Sequence, residues 1–330
     1  MRMRCKKWAR RTLLVGLIGW ALLVLFGHPF FAVNSRSGGK VLVVEGWMHP
    51  EGSREAARAF KDGGYAHCYT TGTIRPFSYY LALGDTIDVH FDTPVSGALE
   101  IEIAGLPSSN WSVFANGAEV LQGDATGSLR RHGTGDPLRL VDRLRITAGA
   151  ANAPPTGDPL VFIGRLLVAD ANIHALPGSV LVRHADGRID PGAPTFADLG
   201  LSLLLREGIH KEDLTSVPTW AVNGSRTLST AKTFTEYADG HGIERFDVAT
   251  LGVHARRTWR MYQKARDGRD GVGIIALNDR WCGRWTWWLN YYGWFQMLKE
   301  VIAWPAPWLV SDHAPDPAPE PVATLQDGRN

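Results

Sequence analysis

Arg245-Phe246-Asp247-Val248-Ala249-Thr250-Leu251-Gly252-Val253-His254-Ala255-Arg256-Arg257 is the stretch whose reading decides the fold of this 330-residue chain. A short apolar strand runs into a glycine, and a histidine and two arginines follow where a helix begins. The same grammar opens the globular part of the chain. Residues 41–44 are an apolar run ending in Glu45-Gly46-Trp47, residues 51–61 have helical composition stopped by Gly63-Gly64, and residues 66–70 run into Thr71-Gly72. Strand, helix and strand in that order predict a βαβ unit, which builds a parallel sheet with covering helices. The alternation resumes later, with helices at 195–207, 225–239 and 254–265, strands at 218–222, 246–251 and 272–277, and a tryptophan-rich helix to about 303.

Between these two parts the pattern changes. From about 74 to 189 helix signals almost vanish, and alternating segments at 86–91, 99–103, 111–114, 138–146 and 160–168 are divided by turns. Asn116-Gly117 and Asp186-Gly187 are hairpin signals. The predicted fold class is α/β: a Rossmann-like, mostly parallel sheet interrupted by an inserted antiparallel β-sandwich, with one N-terminal transmembrane helix. The expected organisation is a basic segment 1–11, an anchor 12–33, a discontinuous α/β domain of 39–72 and 195–310, and a β insert 74–190. A disordered tail, 314–330, is expected from its Pro and Ala content.

Arg2, Arg4, Lys6, Lys7, Arg10 and Arg11 precede an apolar run long enough to span a bilayer. A basic block on that side predicts a cytoplasmic N-terminus, a plasma-membrane anchor and an extracytoplasmic body. A cleaved signal peptide is the alternative, although its apolar core is shorter. With 35 basic and 33 acidic side chains the formal charge is only +2, which lacks the basic excess of nucleic-acid-binding proteins. Three cysteines make no disulfide framework. Cys68 and Cys282 read as unpaired structural thiols, with a bridge between them as the alternative. No P-loop, zinc-finger spacing, GxSxG elbow or HExxH is present.

Ligands of a parallel α/β sheet sit outside the carboxyl ends of its strands. The expected ends carry Glu45, Thr71 and Gly72, Arg226 and Thr227, then Gly252, His254, Arg256 and Arg257, and finally Asp279. His254 and Glu45 are the acid/base candidates, the histidine because it titrates near neutrality. Thr71, Gly72, Arg226, Thr227, Gly252, Arg256 and Arg257 are the candidates for holding a phosphate-like anion, through arginine forks and the free N–H groups of a helix start. Plainer roles stand beside these: Glu45 as a helix cap or ion-pair partner, Arg226 as a solvated side chain, and Arg256-Arg257 as a surface pair. Two positive charges in a first helical turn oppose the helix dipole unless an anion lies near. Trp287, Tyr291, Trp294, Leu298 and Val301 fall at helical spacing and predict a core-facing stripe. The alternative is an aromatic surface at a membrane interface.

Several of these motifs together resemble the bacterial YdcF/SanA/ElyC family, a domain of unknown function frequent in envelope proteins. They are the strand into Glu45-Gly46-Trp47, the 63–72 segment, Arg226-Thr227 with Ala231, the 251–257 segment, and the closing Trp287-Trp288 and Glu300. The resemblance implies a Rossmann-like sheet and a role in envelope polysaccharide or peptidoglycan metabolism, with an envelope glycan or its lipid-linked phosphate precursor as partner; it supplies no settled reaction. A non-catalytic envelope scaffold is the alternative. The insert is similar to a calcium-dependent xylan-binding carbohydrate-binding module, on the basis of residues 111–117, Arg145-Ile146-Thr147, Asn152, Asp158 and the strand at 160–163. That resemblance implies sugar stacking on an exposed Trp111 and calcium near Asn152 and Asp158. The loop departs from the family pattern, since Ala153 follows Asn152 and Pro159-Leu160 follow Asp158. Calcium takes about 6–8 oxygen ligands, and so few are supplied here that a retained fold without calcium, or an insert that binds nothing, stays open.

Overall fold

The computed structural model describes residues 2–107, 109–150 and 160–305, with residues 2–13 and 150 described by backbone alone. Asn152, Asp158 and the proline-rich tail lie outside the described residues. In chain order the elements are α1 (Arg2–Phe31), β1 (Val41–Glu45), α2 (Pro50–Gly63) and β2 (His67–Thr73). Eleven strands follow: β3 (Tyr79–Leu81), β4 (Thr86–Gly97), β5 (Leu99–Gly105), β6 (Ser109–Ala115), β7 (Ala118–Asp124), β8 (Arg130–Gly133), β9 (Leu138–Ala150), β10 (Val161–Val168), β11 (Ala171–Asn172), β12 (Gly178–Arg183) and β13 (Ile189–Pro191). The chain then forms α3 (Phe196–Arg206), β14 (Leu214–Thr219), α4 (Arg226–Gly240), β15 (Phe246–Leu251), α5 (Ala255–Ala265), β16 (Val272–Leu277) and α6 (Tyr291–Ala303). Two compact units result, one of Met1–Thr73 with Ala197–Asn330 and the other of Ile74–Phe196.

In the first unit five strands pair in the order β14-β2-β1-β15-β16, and every pairing is parallel. Counting only these strands, the order is 3-2-1-4-5, that of a doubly wound Rossmann-like sheet. The strands are nearly continuous apolar runs because both faces are covered. Leu42, Val44, Ala249 and Leu251 pack with α2 on one face, and Val43, Val248 and Ile274 pack with α4 and α5 on the other. His49 caps α2, accepting a hydrogen bond from the Gly52 N–H, and Pro50 stands at its first turn. α3 approaches the end of β1 so closely that a Cβ on Gly200 would lie 2.7 Å from the Gly46 Cα. Cys68 and Cys282 are both buried free thiols.

The second unit is antiparallel throughout, with one sheet β13-β12-β4-β9-β6-β7 and another β11-β10-β5-β8 that β3 joins through β10. Its core takes alternate residues of each strand, among them Ile87 and Val89, Leu144 and Ile146, and Trp111 and Val113. Trp111 is thus 2% exposed, which corrects the expectation that it offers a face to a sugar.

One helix agrees with expectation and one departs from it. α1 runs through the basic segment and contains the one described stretch long and apolar enough to cross a membrane, Leu14–Phe31. On α6 the expected core stripe is turned outward. Trp287, in the turn before the helix, is fully buried, but Tyr291 is 85%, Leu298 58% and Val301 47% exposed. Only Gly293, Met297 and Glu300 of α6 are buried. Helical periodicity had identified an apolar face without saying which apolar medium covers it.

Candidate active site

The order of the parallel sheet reverses between β1 and β15, and the crevice outside their carboxyl ends is where such sheets place a ligand. Glu45, last in β1, and the Gly252–His254 turn after β15 meet there. Gly252 has φ +37°, and its missing Cβ would lie 3.3 Å from the Asp279 Cβ. That left-handed, crowded position favours glycine. The single 3₁₀ turn it starts delivers His254 ahead of α5 rather than within it.

Glu45 is 3% exposed. Its Oε2 accepts hydrogen bonds from the Thr250 hydroxyl and, at 3.3 Å, from the Thr258 hydroxyl. It also lies 3.9 Å from His254 Nε2. On the other side of the imidazole, Nδ1 lies 2.8 Å from both Glu300 Oε1 and Arg257 Nη2. These contacts hold the ring with Nε2 toward Glu45; a carboxylate only accepts and a guanidinium only donates, so the tautomer decides which of the two Nδ1 pairs with. Arg257 donates to the same carboxylate through Nε at 2.8 Å and Nη2 at 3.1 Å. Burial alone pushes the Glu300 carboxyl up, but the hydrogen bonds and charges of His254 and Arg257 override it and hold it down at about 2. The Trp47 indole stands edge-on to the His254 ring at 5.1 Å. The Tyr262 hydroxyl, 3.4 Å from Thr71 Oγ1, is pushed above its ordinary range by burial and by the Glu45 charge, so it stays a neutral phenol.

Arg257 has an anionic partner within the chain. Glu300 of α6 neutralises Arg257. Arg256 points elsewhere: its Nε donates to the Phe30 carbonyl at the end of α1, and its guanidinium lies 4.2 Å from the Phe30 ring centre. Cations at a helix C-terminus satisfy free carbonyls and the dipole there, so Arg256 is placed at the end of α1 and not in the His254 network. Thr71 and Gly72 are buried within β2, opposite Val217 and Pro218 of β14. Exposed Arg226 and half-buried Thr227 open α4 beyond β14. Three strand spacings, about 14 Å, separate β14 from β15, which puts Arg226 across the rim from the His254 network. Asp279 accepts backbone N–H bonds from Trp281 and Cys282 and shapes a turn. Glu300 and Trp47 were visible only as motif members; nothing in the sequence showed that they flank His254.

A second cluster, missed in the sequence, lies on the outer face of the six-stranded sheet of the insert. Asp88, 6% exposed, accepts from Arg145 Nε at 2.8 Å, Arg183 Nε at 2.7 Å and Arg143 Nη2 at 3.1 Å. Burial would raise its carboxyl, but the bonds from Arg145, Arg183 and Arg143 bring it down to about 2. Phe114, Gly117 and Thr147 complete a concavity of about 380 Å³ with Arg143 and Arg145. The Arg143-x-Arg145 alternation was the available signal, since alternate strand residues share a face. Among the described residues no group of three or more His, Cys, Asp or Glu side chains is placed to hold a metal.

No protein-family model matches the chain, and no curated protein matches it. Among solved structures it resembles the C-terminal domain of EclA, a sugar-binding protein, at 9% identity over 29% of this chain and 77% of that one, with a TM-score of 0.21. It also resembles the Agl-KA catalytic domain at 11% identity and a TM-score of 0.20, over 52% of this chain and 29% of that one. At these scores neither likeness assigns a fold or a function.

Proposed function

We propose that this chain is a membrane-anchored, extracytoplasmic protein of envelope polysaccharide or peptidoglycan metabolism, of the YdcF/SanA/ElyC kind, with an acid/base centre at the β1/β15 switch point. The Glu300–His254–Glu45 alignment carries the reading. Glu300 orients the imidazole, Nε2 is the atom that takes or returns a proton, and Glu45 lies within reach of the same hydroxyl or water. Substrate enters along the rim beside Trp47. The formal charges of Glu45, Glu300 and Arg257 sum to −1, so this network offers no surplus positive charge. A phosphate on the substrate is therefore held by Arg226 and the α4 start, across the rim from the proton-transferring group. In a deletion strain, His254→Ala and Glu45→Gln fail to restore the envelope phenotype, while Arg256→Lys restores it. Full complementation by both His254→Ala and Glu45→Gln refutes an acid/base role. Inorganic pyrophosphate, titrated into the purified full chain, binds at least 10-fold more weakly after Arg226→Ala and no more weakly after Arg256→Ala.

A glycan-binding role for the insert is favoured by the Asp88 cluster rather than by Trp111. One buried carboxylate holds three guanidinium groups, leaving two positive charges and many donors beside the Phe114 ring. That surface suits a sugar carrying carboxylate groups. Retention of the full chain on a polyuronate column, lost in Arg143→Ala/Arg145→Ala and kept on a neutral glucan control only by non-specific adsorption, checks it; equal elution of wild type and variant refutes it.

A further inference from the structure

The segment between β16 and the end of α6 is apolar on the outside and irregular for half its length, and it is built alongside α1. Its contacts with α1 are ordered. His28 Nε2 donates to the Cys282 carbonyl at 2.9 Å. Trp288 then meets Trp20 edge-on at 5.5 Å. The chain returns through α6, where Met297 lies 3.2 Å from the Cβ position of Gly27, and ends with Trp304 5.4 Å from Phe30. In α1 numbering it travels from 28 to 20 and back to 30. Eight helical residues correspond to about 12 Å, close to the ~15 Å depth of one leaflet's hydrocarbon. From this geometry we infer that residues 282–304 form a re-entrant hairpin that enters the outer leaflet of the bilayer beside α1. The inference rests on α1 spanning that bilayer.

The side chains match such a medium. Trp285, Leu289, Tyr291, Tyr292, Phe295, Leu298 and Ile302 are between 42% and 69% exposed apart from Tyr291 at 85%, a patch that a protein in water would not leave open. From Trp285 to Leu298 there is no charged residue, and Arg284 and Lys299 bracket the stretch. Long cationic side chains at the ends of a buried segment reach back to the headgroups. The backbone is equally prepared. Irregular chain at membrane depth must satisfy its own polar groups. Asn290 Nδ2 donates to the Trp281 and Thr286 carbonyls, and its Oδ1 accepts from the Gly293 N–H. Trp294 Nε1 donates to the Trp288 carbonyl at 2.9 Å. A Cβ on Gly293 would collide with the Trp287 backbone, so glycine permits the tight return.

The full chain in phosphatidylcholine/phosphatidylglycerol nanodiscs tests the placement. With Cys5 replaced by Ser, nitroxide labels are set at Tyr291→Cys, Phe295→Cys and Ile302→Cys, with Leu17→Cys in α1 as the apolar reference and Asp62→Cys on α2 as the aqueous one. Collision with oxygen relative to a water-soluble nickel chelate should rise in the order Ile302, Phe295, Tyr291, approaching Leu17. Aqueous values at Tyr291 and Phe295 with an apolar Leu17 overturn the hairpin alone. An aqueous Leu17 overturns the anchor on which it rests. Labels shielded from both reagents show that protein, a second copy included, covers the face in place of lipid, which also overturns the inference.

Discussion

Glu300→Gln isolates what the buried carboxylate contributes. The amide keeps the shape of the side chain and one acceptor, but it removes the charge that Arg257 and His254 share. Removing one partner of a buried ion pair costs about 3–5 kcal/mol. Arg257 keeps 13% side-chain exposure and retains one hydrogen bond, so the expected loss at pH 7 is about 2–3 kcal/mol. A second route agrees. A carboxyl held at about 2 instead of 4.5 favours the ionised folded form by roughly 3 kcal/mol. Because the folded value is depressed, this stability is complete above pH 4.5 and is lost as pH falls through about 2. Urea unfolding of the full chain in detergent micelles, followed by tryptophan emission, reads the right unit, since Trp111 is the only one of 13 tryptophans in the insert. The wild-type advantage over the variant should be about 2–3 kcal/mol at pH 7 and should shrink between pH 4.5 and 2. A difference under about 0.5 kcal/mol, or a gap that does not change with acid, refutes the reasoning.

Three further outcomes are expected. Trp111→Ala destabilises the insert by about 3–5 kcal/mol, the cost of a large core cavity, seen as faster hydrogen exchange in β6 and β9; exchange equal to wild type would contradict its burial. Arg256→Ala removes the bond to the Phe30 carbonyl and the stacked guanidinium, lowering stability by about 1–2 kcal/mol and speeding exchange at the end of α1, with pyrophosphate binding unchanged. Asp88→Asn loosens the arginine cluster at pH 7 and flattens its acid response, because the wild-type carboxyl, lowered from 3.8 to about 2, supports the insert above pH 3.8 and ceases to as pH falls through 2; hydrogen exchange in β4 and β9, corrected for intrinsic rates, that is equal in both proteins at pH 7 or does not quicken in the wild type between pH 3.8 and 2 would argue against the cluster.

The alternation of apolar strands and helices made the α/β class legible, because a parallel strand covered on both faces is apolar along its length. That reading also put Glu45, His254 and the arginines at strand ends. It did not give the 3-2-1-4-5 order, which depends on where crossovers pack, and so did not show that Glu45 and His254 stand at the switch point. Glu300 lies 46 positions from His254 in sequence, and only folding makes it the counter-charge. Without it the two arginines looked like a vacancy for a ligand. The insert illustrates a different loss. Trp111 and Val113 alternate with Ser112 and Phe114, a pattern that already assigns tryptophan to the inner face and phenylalanine to the outer one.

Arg256 and Arg257 are neighbours in one turn, yet they are committed to different elements. Arg256 holds the end of α1, and Arg257 holds Glu300 of α6. The histidine between Glu45 and Glu300 is thereby fixed at the junction of two helices that both present apolar surfaces outward. If α6 enters the leaflet, Glu300 near its returning end keeps His254 at the headgroup level. A freely soluble substrate gains nothing from that height, whereas one carried on a lipid arrives there with its polar group beside Trp47 and the rim. That reading ties the orienting carboxylate on α6 to the proposed membrane placement, and it stands or falls with the label-accessibility result at Tyr291 and Phe295.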